Sequence, residues 1–266
     1  MTYTLQRGTQ PMLVSMPHIG TAIPLELQSN LLPRALDVED TDWHLARLYD
    51  FLPALGISVL QSQVSRYVVD LNRPPDDTPM YPGAANTELC PTRFFNGDAL
   101  YQSGQEPSPQ EVQRRRITYW QPYHDALANE LQRLKALHGF VLLWDAHSIR
   151  SQIPWLFEGK LPDLNIGTAS GAAAASRFAD AAASAVDSFT HVVNGRFKGG
   201  YITRHYGQLA QHVHAIQLEK CQSLYMQETT PFAYDDALAA QLQPTLKRMV
   251  QASLQALKTL SKATYE

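Results

Sequence analysis

The sequence predicts an α/β fold in which a mixed, mostly parallel central sheet is flanked by helices. Three observations predict it. Short apolar runs at Met12–Met16 and Phe140–Trp144 have the length and residue types of strands buried in a sheet, and His214–Leu218 alternates as a strand. They are separated by stretches with helical periodicity, above all 107–138 and 234–260, so strands and helices alternate along the chain. No internal repeat or linker divides the 266 residues, and one large domain spanning 1–266 accommodates that length.

Taken in order, Met12-Leu13-Val14-Ser15-Met16 reads as a first strand ending in Pro17-His18-Ile19-Gly20. The acidic turn Asp37-Val38-Glu39-Asp40 leads into a helix predicted over 41–52, which Asp40 or Thr41 can cap. Strands are predicted at 57–60 and at 66–71, the latter centred on β-branched Val68 and Val69. It closes on Asn72-Arg73-Pro74-Pro75, because proline cannot continue a ladder. The segment 76–108 is rich in Pro, Gly, Asn and Thr and shows no period; a connection of that length in a compact domain is usually functional, so it is read as bordering the site. From 107 to 138, Val112, Ile117, Trp120, Leu127, Leu131, Leu134 and Leu137 recur at helical spacing, with Pro122 expected to kink or divide the helix and a stop at Gly139. Beyond the central run, short strands are predicted at 164–166 and 189–193, around an Ala-rich helix at 171–186. The glycine-punctuated stretch 194–207 lacks the spacing and the Lys-Ser/Thr ending of a phosphate loop. A strand at 214–218 and an amphipathic helix at 234–260 complete the order.

Composition narrows the function classes. The net charge is −3, and the basic residues are scattered apart from Arg114-Arg115-Arg116 on a predicted helix, so no nucleic-acid footprint is expected. Cys90 and Cys221 supply neither a disulfide framework nor a CxxC metal knuckle, which fits a reducing compartment. Residues 1–10 lack the basic start and apolar core of a signal peptide, and no apolar run approaches the roughly 20 residues of a membrane span. A cytoplasmic, soluble protein with no membrane partner is expected.

The polar residues that close the strands carry the chemistry. In open α/β sheets, ligands bind outside the carboxyl ends of strands. Three predicted strands deliver His18, His147 and Glu219 there, and a fourth supplies Asn72 and Arg73. Catalytic zinc takes three protein ligands drawn from histidine and carboxylate, and lowers the pKa of a water in the fourth position to roughly 7. His18 and His147 are the candidate nitrogens. Asp42 is the preferred carboxylate, because Asp40 is placed to cap the helix that follows; Asp40 stays open as an alternative, and His44 as a ligand or supporting residue. Glu219 suits a general base beside a dication. Arg66, Arg73 and Arg204 point to an anionic substrate, since the guanidinium grips a carboxylate with two parallel hydrogen bonds.

Seven blocks in the same order, Pro17-His18-Ile19-Gly20, Asp40-Thr41-Asp42-Trp43-His44, Arg66-Tyr67-Val68-Val69-Asp70-Leu71-Asn72-Arg73, Pro122-Tyr123-His124, Asp145-Ala146-His147-Ser148, Gly199-Gly200-Tyr201-Ile202-Thr203 and Gln217-Leu218-Glu219, resemble the N-formylglutamate deformylase (N-formylglutamate amidohydrolase) family from about residue 12 to 226. The resemblance implies a zinc-exopeptidase-like α/β fold related to the zinc carboxypeptidases, one divalent metal ion, most often zinc, and hydrolysis of N-formyl-L-glutamate to formate and L-glutamate in histidine degradation. It further implies that His18 and His147 bind the metal with Asp42 as acidic ligand, and that Glu219 is the catalytic glutamate. Arg66 is then the arginine that polarises the scissile carbonyl, and Asn72-Arg73 the pair that holds the substrate α-carboxylate; on this reading Asn72-Arg73 and Arg204 together hold the two carboxylates of glutamate, and Tyr201 joins the substrate-binding candidates. The carboxypeptidase His-x-x-Glu pair is missing, because Thr21 stands three residues after His18. Hydrolysis of another N-acyl amino acid (an N-succinylglutamate or N-acylaspartate) or carboxypeptidase action, and non-catalytic binding of an acidic amino-acid derivative, are the alternatives at this stage.

Overall fold

A computed structural model describes residues 2–80 and 87–263, with side chains as far as residue 259. Seven strands form one sheet: β1 (Tyr3–Gln6), β2 (Met12–Met16), β3 (Ser58–Ser62), β4 (Val141–Ile149), β5 (Leu164–Gly167), β6 (His191–Val193) and β7 (Val213–Cys221). Their order is β1-β3-β2-β4-β7-β5-β6. The pairs β2–β3, β2–β4, β4–β7 and β5–β6 are parallel, whereas β1–β3 and β5–β7 are antiparallel. The expected α/β class with a mixed, mostly parallel sheet is therefore the observed one. The α-helices are α1 (Leu25–Gln28), α2 (Leu45–Leu48), α3 (Pro109–Arg115), α4 (Gln121–His138), α5 (Ser176–Ser184), α6 (Tyr201–Tyr206) and α7 (Asp236–Ala263). None of the described helices is long and apolar enough to cross a membrane.

Alternation along the two central strands organises the molecule, because successive side chains of a strand point to opposite faces. Leu142, Trp144 and Ala146 of β4 and Ile216 and Leu218 of β7 share one buried cluster with Phe178 of α5 and Leu246, Met249 and Val250 of α7. Val141 and Leu143, with Val213 and Ala215, belong to a second cluster with Tyr123, Leu127, Leu131 and Leu134 of α4. On that second face the next positions are Asp145 and His147, and Gln217 and Glu219. The face that buries hydrocarbon at the start of each strand thus becomes polar toward its carboxyl end.

Several elements differ from the sequence expectation. The apolar run 140–144 does not stop at Asp145: β4 continues to Ile149 and β7 to Cys221, so the polar residues lie within paired strands. The strand predicted at 66–71 is a turn, in which Val68 N donates to Ser65 O (2.9 Å) and Arg73 N to Asp70 O (3.2 Å). Val68 and Val69 bury against α4 all the same. The helix predicted at 41–52 contracts to α2, because His44 takes the left-handed conformation (φ 61°) that ordinary residues avoid inside a helix. Pro122 does not break the long helix; a π-helical turn at Arg116–Trp120 directly precedes it, and α4 then runs to Gly139, whose N–H bonds Lys135 O. The segment 76–108 does border the cleft described below, through Thr87 and Phe95; its residues 81–86 lie outside those described.

Helix α4 and the π-helical turn before it also brace the turn that follows Asp70. Trp120 Nε1 donates to Arg73 O (3.0 Å), and His124 Nε2 lies 2.9 Å from Leu71 O. A carbonyl only accepts, so His124 Nε2 carries the proton and Nδ1 is the acceptor toward the Tyr206 hydroxyl at 2.9 Å. Burial beneath Trp120 and Tyr206 pushes the imidazole pKa down to about 3, so the ring is neutral. The unfolded chain takes up this proton near pH 6.5 and the folded one only near 3, so acid favours unfolding in between. The stability advantage of the wild type over His124→Phe is expected to shrink below pH 6.5, by up to roughly 1.4 kcal/mol per pH unit, in urea unfolding at pH 7.5, 6 and 5. An advantage that is independent of pH, or that grows with acid, contradicts a neutral imidazole at this position.

Candidate metal centre and its cleft

The site forms where the polar face of β4 and β7 meets the loops after β2 and β3. Register places His147 directly opposite Glu219 and Asp145 opposite Gln217. His18 lies two residues beyond β2, and its backbone carbonyl accepts from Asp42 N (3.0 Å), which brings the acidic turn onto the same spot. His18, Asp42 and His147 each offer one ligand atom, and these atoms lie within 4.8 Å of one another. Asp42 Oδ2 is 3.1 Å from His147 Nδ1 and 3.8 Å from His18 Nδ1. All three residues are buried.

What orients the imidazoles is a pair of carboxylates behind them. His18 Nε2 is 2.7 Å from Asp70 Oδ1, and His147 Nε2 is 3.0 Å from Asp145 Oδ2. With both Nε2 atoms donating outward, both Nδ1 atoms turn inward, the carboxylate–histidine–metal arrangement that fixes tautomer and ring direction. His18 Nδ1 is buried and has no hydrogen-bond partner. A buried polar atom left unpaired costs about 1–3 kcal/mol, so it marks a position where a ligand belongs. Four buried carboxyl groups, those of Asp42, Asp70, Asp145 and Glu219, crowd the floor with the Arg66 guanidinium and the buried Lys220 ammonium. A divalent cation among the three inward-facing atoms offsets that excess, so the residues present fit a metal ion.

Asp70 does more than hold His18. Its Oδ2 accepts from Arg66 Nη2 (2.8 Å) and its Oδ1 from Asn72 N (2.9 Å). Burial opposes its charge, but His18, Arg73 and Arg66 together hold the carboxyl well below the usual carboxylate range. Burial likewise opposes ionisation of Asp42, and the hydrogen bond from His147 with the charges of His18 and Arg66 brings its pKa below the ordinary value. For His147 burial disfavours the proton, while Asp145 and Asp42 outweigh it. Asp40, the alternative ligand, is committed elsewhere: it accepts from Tyr67 Oη (2.8 Å), Phe95 N (2.9 Å) and Arg150 Nη2 (2.7 Å). His44 lies apart too, its Nε2 2.7 Å from the Phe232 carbonyl oxygen.

Above the triad opens a cleft of about 210 Å³. Arg66, Asn72, Arg73 and Glu219 line it together with the three candidate ligands. Glu219 Oε1 is buried without a hydrogen-bond partner, and burial pushes the carboxyl up to about 8, with His147 opposing. Asn72 is held by the backbone of α6: its Oδ1 accepts from Ile202 N (2.8 Å). Gly200 packs against it so closely that a Cβ there would sit 2.3 Å from Asn72 Nδ2. Arg73 is braced by Thr87, with Nη2 2.7 Å and Nε 3.1 Å from Oγ1.

Tyr201 and Arg204 are not among the residues lining the cleft. Tyr201 stacks on His205 with ring centroids 4.8 Å apart, and Arg204 Nε donates to Gly199 O (2.8 Å). Conversely, Phe95, Ser148, Gln217 and Arg196 line the cleft although sequence reasoning gave them no role. Gln217 was within reach, since it stands two residues before Glu219 and so shares its face of β7. Asp70 was signalled by its place four residues after Arg66 and two before Asn72.

If Asp42 is a ligand and Asp40 is structural, Asp42→Asn is expected to lose stoichiometric zinc on dialysis while Asp40→Asn keeps it. Elemental analysis of both purified variants decides the point, and the reverse result assigns the ligand to Asp40.

Known proteins resemble this chain closely. The sequence model of the family described as N-formylglutamate amidohydrolase matches residues 10–226. An N-formylglutamate deformylase of Pseudomonas aeruginosa is 50% identical over 255 residues, covering 94% of this chain and 95% of its own. Another, of Pseudomonas putida, is 49% identical over the same shares. The crystal structure of an N-formylglutamate amidohydrolase from Ralstonia eutropha has a TM-score of 0.76 at 23% identity and covers 98% of this chain and 99% of that one. The crystal structure of a protein from Agrobacterium tumefaciens has a TM-score of 0.71 at 18% identity over 94% of each chain. These two likenesses show a shared fold.

Proposed function

Because this chain belongs to the N-formylglutamate amidohydrolase family, we propose that it hydrolyses N-formyl-L-glutamate to L-glutamate and formate, in the cytoplasm and as a step of histidine degradation. The observation that carries the reading is the pair of inward-facing Nδ1 atoms beside Asp42, with Glu219 and Arg66 on the same cleft. His18, Asp42 and His147 would hold the ion, and their donor set suits Zn2+. A divalent ion there supplies Lewis acidity, lowering the pKa of water toward roughly 7 and polarising a carbonyl oxygen.

The chain's own residues do the rest. Glu219 removes a proton from the attacking water, the oxygen adds to the formyl carbon, and Glu219 returns the proton to the nitrogen as the C–N bond breaks. A carboxyl raised to about 8 by burial holds a proton well enough to deliver it to the leaving nitrogen. Arg66 donates to the oxygen on which negative charge gathers; held by Asp70 and covered on one face by the Phe95 ring (4.4 Å), it is in place before the reaction begins. Asn72 and Arg73 grip the α-carboxylate.

Formate release from N-formyl-L-glutamate by zinc-loaded protein tests the reading. Glu219→Gln is expected to lose about 100- to 10,000-fold in kcat while keeping its zinc. Undiminished turnover removes Glu219 from the mechanism, and no formate from the wild type refutes the function.

A further inference from the structure

We propose that Arg196 recognises the second, distal carboxylate of the substrate and so selects an N-formylated dicarboxylic amino acid over a neutral one. The inference rests on the function proposed above and assigns a residue to the specificity of that same site.

Charge accounting within the cleft leads to it. Three arginines line the cleft: Arg66, Arg73 and Arg196. Arg66 is met by carboxylates, with Asp70 at 2.8 Å and Asp42 at 3.6 Å. Arg73 donates instead to Thr87 and to the Asn72 carbonyl (2.9 Å), and Arg196 donates to the Leu156 carbonyl while lying 5.3 Å from the centre of the Phe157 ring. Carbonyl and hydroxyl oxygens orient a guanidinium but do not neutralise it. Among the described residues neither Arg73 nor Arg196 forms a direct ion pair, although Asp70 lies in the electrostatic reach of Arg73 and Arg196 is open to solvent. Two guanidinium groups facing one cleft suit a ligand with two negative charges, and Asn72-Arg73 account for only one of them.

Arg196 is also built to measure distance. It follows β6 in a segment fixed at both ends: Asn194 Oδ1 accepts from Thr168 N (2.8 Å), and Gly200 N donates to Gln217 Oε1 (2.8 Å). Between them the chain crosses Gly167 so closely that a Cβ there would sit 2.6 Å from the Lys198 carbonyl carbon. Leu156 and Phe197 line the cleft beside Arg196, an apolar surface suited to the methylene groups of a glutamyl side chain. Arg204, another cation of this region, donates from Nε to Gly199 O and is not among the cleft-lining residues.

The test compares kcat/KM for N-formyl-L-glutamate and for neutral N-formyl-L-glutamine in the wild type, Arg196→Ala and Arg196→Lys. Loss of a charge-assisted, forked contact is expected to cost Arg196→Ala about 10- to 100-fold on the acid, chiefly through KM, and to leave the amide within about 3-fold. Lysine restores charge without the fork and is expected to recover part of the loss. Equal losses on both substrates mean that Arg196 only ties down the Leu156 loop, and they overturn the proposal; so does no loss on either. If the wild type hydrolyses neither compound, the proposed function fails, and calorimetry with glutarate decides the role of Arg196. Binding weakened about 10-fold or more in Arg196→Ala then sustains the distal subsite, and unchanged binding removes it.

Discussion

The site depends on two carboxylates that never reach the cleft. Asp70 and Asp145 hold the outer nitrogens of His18 and His147, and those two contacts decide which nitrogen of each ring faces Asp42. Asp70 is buried together with Arg66, so breaking either partner leaves an uncompensated charge at a cost of about 3–5 kcal/mol. The same contacts that make the region stable therefore fix the direction of the catalytic groups. Because Asp70 joins His18, Arg66 and the backbone of Asn72, the candidate metal ligand and the groups proposed as oxyanion donor and substrate grip share a single anchor.

The sheet supplies the second constraint. Parallel pairing of β4 and β7 in fixed register puts His147 beside Glu219 without any loop having to bring them together. Since the side-chain period is two, a slip of β7 by one residue would turn Glu219 toward the Trp144 cluster and present Leu218 to the cleft. Nine buried residues in each of these strands make such a slip costly. Precision at the floor thus follows from hydrocarbon packing, whereas the rim is assembled from loops carrying Thr87, Phe95, Leu156 and Arg196.

Much of this was legible in the sequence. An apolar run followed by His18, another followed by Asp145 and His147, and a strand closing on Glu219 pointed to one edge of one sheet, and the structure gathers those residues there. The turn at 66–73 was misread because paired valines signal a strand only when nothing local competes. Here Arg66 and Asp70, four residues apart, pair across a turn that buries both valines on α4. The sequence favours Asp42 because Asp40 is placed to cap a helix, but α2 begins only at Leu45 and Asp40 caps nothing; what commits Asp40 is its contacts with Tyr67, Phe95 and Arg150, up to 110 residues away. Arg196 was hidden for a related reason, since its place in the cleft follows from the way its segment crosses Gly167, which no local pattern records.

The central claim is that His18, Asp42 and His147 share one ion through atoms that Asp70 and Asp145 have turned inward. X-ray absorption at the zinc edge on the zinc-loaded protein tests this most directly. The account expects two imidazole nitrogens and carboxylate oxygen at about 2.0–2.2 Å, falling to one imidazole in His147→Ala. Sulfur in the shell, or an imidazole count that His147→Ala leaves unchanged, would contradict it.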